Sequence, residues 1–337
     1  MMNKIYAAIA KRQTPIQLIL LALTAVFPFV VSNPYAIRLA VLSGVFVILS
    51  LSLNLLTGFA GQISLGHIAF YGIGAYTAAI LSKNFGWNFL LCMLAAMVIA
   101  GVFGLLLGLP TLKLGGYYLA IVTLGFSEIV RLVEINWMEL TNGPLGIIGI
   151  PKPELFGVSL SSPKAYYFLC LLLVVITLIV IKNIRNSRIG YALGTVRGDE
   201  NASQFMGVNV FRYKIMAFVI SAAFAGLAGA FYAQYVTFID PTSFSSDQST
   251  LILTMIIFGG MGSLPGSIIG AVVLTLVPEL LRDLMEFRML IYGVVLVVMM
   301  LVRPQGLLGK VNFKHIRQQA LVGRLGGKKA EKEGGKA

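Results

Sequence analysis

The chain has 337 residues, 58% of them hydrophobic and 12% charged, where soluble domains carry roughly 25% charged residues. That composition belongs in a bilayer, and with spans of roughly 20 apolar residues it leaves no room for a soluble catalytic domain. A net charge of +13 would suit nucleic acid in a soluble protein, but most of the Lys and Arg cluster in the amino-terminal tail, at Lys113, in segment 183–214 and in the carboxy-terminal tail. Such clustering marks those four stretches as cytoplasmic and excludes nucleic acid as the partner.

Read in order, the sequence predicts an all-α, polytopic integral membrane protein of about ten transmembrane helices. Residues 1–15 form a cytoplasmic tail, 16–309 a single transmembrane domain, and 310–337 a basic cytoplasmic tail near the inner leaflet, with a composition that implies disorder. The first span, 16–31, follows Lys4, Lys11 and Arg12 like a signal peptide, but no small-residue cleavage site comes after Phe29, so it is kept as a span. A second span covers 37–56.

Segment 57–67 then interrupts the apolar run with three glycines and several uncharged polar groups. Backbone that breaks at membrane depth must be buried in protein or face water. Asn54, Gln62 and His67 are therefore candidates for the path of a neutral or zwitterionic solute, while Thr57 and Ser64 read as groups that satisfy freed backbone. The alternative for all five is that they only satisfy backbone, and a lone His is more often structural than functional.

The third span, 66–81, carries a small-residue face of Gly72, Gly74, Ala75, Ala78 and Ala79, and the fourth, 89–109, ends at Pro110. The fifth, 117–135, holds Glu128, Arg131 and Glu134 at spacings of three. Ionisable groups inside a span are expensive and usually paired, so Arg131 is expected to bridge both acids and anchor this helix. Residues 137–164 form an outside loop rich in Pro and Gly, long enough for a lid or a docking surface.

A sixth span, 165–181, leads into 183–214, the one long basic island before the tail. Within it, 199–207 has the marks of a short helix, with Asp199 and Glu200 where the dipole favours acids and Gly207 as its stop. Ala202, Phe205 and Met206 project together from it, a pattern that fits a partner's groove, its own protein or lipid headgroups. The seventh span, 215–236, has Ala222, Ala225 and Gly229 on a close-packing face. The eighth, 249–258, is short, and glycines break the run at 259–266 before a ninth, 267–281. That glycine run lacks the Lys-Ser/Thr of a Walker A loop, so nucleotide binding by this chain is rejected. A tenth span covers 289–302. Cys92 and Cys170 lie in apolar runs and read as packing residues, and two His in 337 residues provide neither a metal site nor the base of a membrane-embedded enzyme. No cofactor is expected.

Five segments, in order, resemble the permease subunits of ABC importers, specifically the branched-chain amino-acid permeases of the LivM type. They are LNLLTGFAGQISLGHIAFYGIGAYTAAIL from Leu53, GGYYLAIVTLGFSEIVRLV from Gly115, TNGPLGI from Thr141, the run 190–209, and RPQGLLG from Arg303. The family pattern R-x-x-E-x-A-A-x-x-x-G-I-N takes in Arg197, Glu200, Ala202, Gly207, Val208 and Asn209, with Ser203 in place of the second alanine. Asn142 stands where the family has the first glycine of T-G-G-x-x-G, and Asn tolerates the positive φ such a turn needs.

The resemblance implies an inner-membrane permease with both termini cytoplasmic and 137–164 periplasmic. It pairs with a second, homologous permease, docks two cytoplasmic ATP-binding subunits through Arg197, Asp199, Glu200, Ala202, Phe205, Met206 and Gly207, and takes branched-chain amino acids from a periplasmic binding protein. ATP hydrolysis would belong to the partners, and lipid surrounds the whole. Urea and amides are alternative substrates of this family. An ion-coupled secondary transporter, the rival class, would show unpaired carboxylates in its spans, where this chain offers only those beside Arg131.

Overall fold

The computed structural model describes residues 24–31, 33–111, 116–155, 158–159, 162–280, 293–294, 297, 301 and 306–308. Two compact units are distinguished, 33–309 and the two chain ends together. In the described part of the second unit, 24–30 are helical. The tail 310–337, the tenth span apart from 293–294, 297 and 301, and residues 16–23 of the first span lie outside the described residues.

The first helix of the main unit, α1 (Pro34–Asn54), starts where Pro34 sits at the first turn and Asn33 accepts a hydrogen bond from the Tyr35 amide, the usual uses of Pro and Asn at a helix start. It runs into a π-helical turn, Leu55–Phe59, after which helix is lost until α2 (His67–Phe85). Then come α3 (Phe89–Thr111), α4 (Tyr117–Asn136) and the single turn α5 (Met138–Thr141). Pro110 lies inside the last turn of α3, so the helix stops one residue beyond the expected breaker.

Two β-pairs follow. β1 (Ile147–Ile148) pairs antiparallel with β4 (Phe238–Ile239), and β2 (Glu154–Leu155) with β3 (Val158–Ser159). The loop after α4 thus carries three short strands, one of them paired with β4 beyond the loop. Asn142 takes its turn at φ 63° and its amide donates to the Gly146 carbonyl at 2.8 Å, the conformation expected of it.

The remaining helices are α6 (Pro163–Asn186), α7 (Arg188–Gly198), α8 (Glu200–Phe205), α9 (Val210–Val236), α10 (Ser246–Gly259) and α11 (Leu264–Leu280). Among the described residues four helices are long and apolar enough to cross a membrane, α1 with its π turn (Pro34–Phe59), α3, α6 and α9, and α11 is a shorter apolar helix.

The centre of the unit is α9, packed mainly against α3 and α2. Its Phe218, Ala222, Ala225, Ala228 and Phe231 are fully buried. The small-residue faces read from the sequence meet here: a Cβ at Gly74 would overlap the Gly226 backbone, and one at Gly229 would overlap the Tyr71 carbonyl. Only glycine lets α2 and α9 cross so closely, and close backbone approach is what holds helices together where hydrophobic contrast with lipid is absent. By contrast α3 shows Leu91, Leu94, Val98 and Leu106 on its outer face, an apolar surface too continuous for water and suited to acyl chains.

Candidate functional site

The two helix breaks, two hundred residues apart in sequence, form one junction. Asn54, at the last turn of α1, is fully buried. Its Oδ1 accepts from the Gly262 amide at 2.8 Å and its Nδ2 donates to the Ser263 carbonyl at 3.3 Å. Backbone freed at one break is therefore capped by a side chain from the other, as membrane depth requires. Both ends of the Asn54 amide are engaged in this tie.

His67 is likewise engaged within the chain. Its Nε2 lies 2.8 Å from the Ser52 hydroxyl, Ser52 in turn donates to the Leu49 carbonyl at 2.9 Å, and the Ser52 carbonyl receives the Ser221 hydroxyl of α9 at 2.7 Å. The Thr57 hydroxyl donates to the Gln62 carbonyl at 3.0 Å, and Ser64 accepts from the Gly66 amide at 3.3 Å, so both satisfy backbone as the sequence implied. Gln62 differs from all of these: it is buried, yet neither end of its amide meets a hydrogen-bonding partner among the described residues.

Segment 183–214 folds as the end of α6, then α7, α8 and the start of α9. Asp199 is the N-cap of α8, accepting from the Ala202 amide at 3.0 Å, and Gly207 ends it at φ 81°. The expected short helix is there, with Ala202 exposed, Phe205 91% exposed and Met206 83% exposed. Large apolar side chains so fully presented at the tip of a capped turn have no partner within the described chain and invite one outside it.

Three residues of the same segment turn inward. Arg197 Nη1 donates to the Gly58 carbonyl and lies against Gly61 and Gly262, so it reaches the helix-break junction. Glu200 forms an ion pair with Lys214 of α9, whose ammonium is buried. Ser203 is buried and its hydroxyl donates to the Asp199 carbonyl at 2.7 Å. Arg197 and Glu200, which the resemblance places among the docking residues, are thus also engaged by their own chain, a long cation beside backbone carbonyls and a half-exposed acid within reach of a buried ammonium.

The α4 ladder is corrected. Arg131 Nε meets Glu128 Oε2 at 3.0 Å, and Glu128 accepts as well from the Ser246 hydroxyl of α10. Glu134 is not bridged. It is 4% exposed, its Oε1 lies against Gly72 of α2, and neither carboxylate oxygen meets a hydrogen-bonding partner among the described residues. Each step of three residues falls about 60° short of a full turn, so Glu134 sits about 120° round from Glu128, and Arg131, midway between them, turns to Glu128. The argument that paired charges rule out ion coupling therefore fails here. Among the described residues no three His, Cys, Asp or Glu side chains gather as a metal site.

The family model described as branched-chain amino acid transport system, permease component, matches residues 35–302. Over 312 residues the chain is 41% identical to the high-affinity branched-chain amino acid transport system permease protein LivM of Escherichia coli strain K12, spanning 86% of this chain and 73% of that one. It is 25% identical over 300 residues to the LivH permease protein of Salmonella typhimurium, spanning 82% and 94%. It is 23% identical over 316 residues to a probable branched-chain amino acid transport permease protein LivM of Methanocaldococcus jannaschii. No solved structure matches.

Proposed function

Since the chain belongs to the family of branched-chain amino acid transport permease components, we propose that it forms, with a second permease of the same family, the membrane path of an ABC importer for apolar amino acids. Its likeness to both LivM and LivH proteins supports a pair of related permeases. It is a transport protein and not an enzyme, and ATP hydrolysis falls to two cytoplasmic ATP-binding subunits. An extracytoplasmic binding protein delivers the solute. The path comprises about ten spans in the inner membrane, with both termini and Asn201 inside and 137–164 outside, supported by the placement of Lys and Arg.

The observation that carries this reading is α8: a capped turn that presents Phe205 and Met206 fully exposed while Asp199, Glu200 and Ser203 fasten it to its own chain. An ATPase cleft that receives Phe205 would move α8, and Arg197 would carry that movement to the junction of the two broken helices. Of the polar groups at that junction, Gln62 remains the candidate for the solute path. A buried aromatic in such an interface carries about 2 kcal/mol of binding or more. Phe205→Asp is expected to abolish ATPase capture and leucine uptake while the permease stays folded in the membrane. Wild-type capture and uptake by that variant would sink the reading. Uptake of labelled urea in place of labelled leucine would change the substrate and keep the mechanism.

A further inference from the structure

A second polar feature lies at the other end of α4. A cavity of about 270 Å³ is walled by α2, α3, α4 and α5, among them Ile73, Ile99, Phe103 and Val130, and its volume falls just below the usual range for small-molecule sites. Two of its lining residues are polar and orphaned: Glu134, with both carboxylate oxygens buried, and Tyr76, 5% exposed with a buried hydroxyl, meet no hydrogen-bonding partner among the described residues. The nearest cation on α4, Arg131, is engaged by Glu128.

A carboxyl group held in apolar surroundings without a hydrogen-bonding partner is costly, and native structures keep one where a ligand or ion completes it. We propose that this cavity is a binding site for a small apolar solute bearing a primary ammonium group, which sets its ammonium on Glu134 beside the Tyr76 hydroxyl and its hydrocarbon between Ile73, Ile99 and Phe103. One carboxylate in a hydrocarbon wall matches an aliphatic amine, and it repels an aliphatic acid. For a branched-chain amino acid as the natural occupant, the inference rests on the permease reading. In the proposed topology the site lies near the outer face, where solute arrives.

The chain holds two tryptophans, and Trp137 lines the cavity, so a Trp87→Phe background leaves one reporter at the site. The purified permease in nanodiscs is titrated with leucine, 3-methylbutylamine and 4-methylpentanoate while Trp137 emission is followed. Saturable changes are expected for the first two. The acid should bind at least about tenfold more weakly, since a site built around one charged partner rejects the analogue that lacks its complement. Glu134→Gln should weaken the amine about tenfold or more, and Val130→Phe, which fills the cavity without touching a charge, should remove binding of both.

Equal affinity for amine and acid, full affinity in Glu134→Gln with normal elution and helical melting, or no saturable change with any ligand would overturn the proposal. So would saturation by sodium ions with displacement of the amine, which would make Glu134 an ion site. The titration needs no ATPase and no binding protein. Its failure leaves the permease reading standing, just as wild-type behaviour of Phe205→Asp would leave this site standing.

Discussion

The junction of the two helix breaks and the α4 cavity are both buried polar regions in an apolar chain, and they are built on opposite principles. At the junction Asn54 meets Gly262 and Ser263, and Arg197 meets Gly58, so the polar groups there close on one another, Gln62 excepted. At the cavity neither the Glu134 carboxylate nor the Tyr76 hydroxyl meets a hydrogen-bonding partner among the described residues. A satisfied cluster fixes a fold and offers nothing further, whereas an orphaned one is kept at a cost that a ligand can offset. Substitutions should therefore disturb stability at the first region and binding at the second.

The largest loss is expected at Gly58. A Cβ there would overlap Asn54 Oδ1 and the Gly262 amide, a backbone contact that cannot yield by a side-chain rotation. Gly58→Ala should cost about 4 kcal/mol or more, at the extreme of single substitutions, and leave little permease in the membrane. Gly125→Ala, in α4 with nothing within 4 Å of the added carbon, is the control and should accumulate normally. Normal abundance of both would mean the two breaks do not touch.

A contrast of the two regions comes next in size. Asn54→Leu leaves the part-buried Gly262 amide unmet, at about 1–3 kcal/mol, while the Ser263 carbonyl keeps the Ser267 amide and hydroxyl. Glu134→Gln breaks no hydrogen bond among the described residues and replaces a buried carboxyl group with an amide, so its midpoint of thermal unfolding should equal or exceed the wild type while amine binding falls. The same loss of stability in both variants would erase the distinction.

How much of this was legible follows from the range of the forces. Both breaks could be read because glycines interrupt an apolar run locally, and the small-residue faces of α2 and α9 because their spacing is helical. The short helix at 199–207 was legible from its cap, its stop and its apolar face. That the breaks join through Asn54 was not, since the partners are two hundred residues apart. That Arg197 reaches the Gly58 carbonyl and Glu200 pairs with Lys214 was not legible either, because a motif does not say which way its residues face and both partners lie outside it. Glu134 was missed because spacing of three suggests one face, and drift round the helix takes the third member off it.

Glu200→Gln belongs below the junction variants. It strips the partner from Lys214, which is buried, yet Glu200 itself is half exposed, so the cost falls between that of a buried and a surface pair, about 2 kcal/mol. Reduced thermal stability with α8 still able to capture the ATPase is the expected result. A wild-type melting profile would show Lys214 satisfied by another group, and α8 held by its cap alone.

The smallest effect is expected from Arg131→Ala, and it tests the asymmetry of α4. Had Arg131 held both acids, its loss would strand two buried carboxylates at about 3 kcal/mol or more. Its one partner is Glu128, the pair is about one-third exposed, and Glu128 keeps the Ser246 hydroxyl when the guanidinium is gone. A pair so placed contributes about 1 kcal/mol or less. For a domain of this size that is a fall of about 2–4 °C in the unfolding midpoint, with normal amounts of permease in the membrane. Removing Glu128 instead should cost more, since it strands Arg131 and releases the tie from α4 to α10. Arg131→Ala protein that fails to accumulate would return Glu134 to the ion pair and close the cavity to an amine.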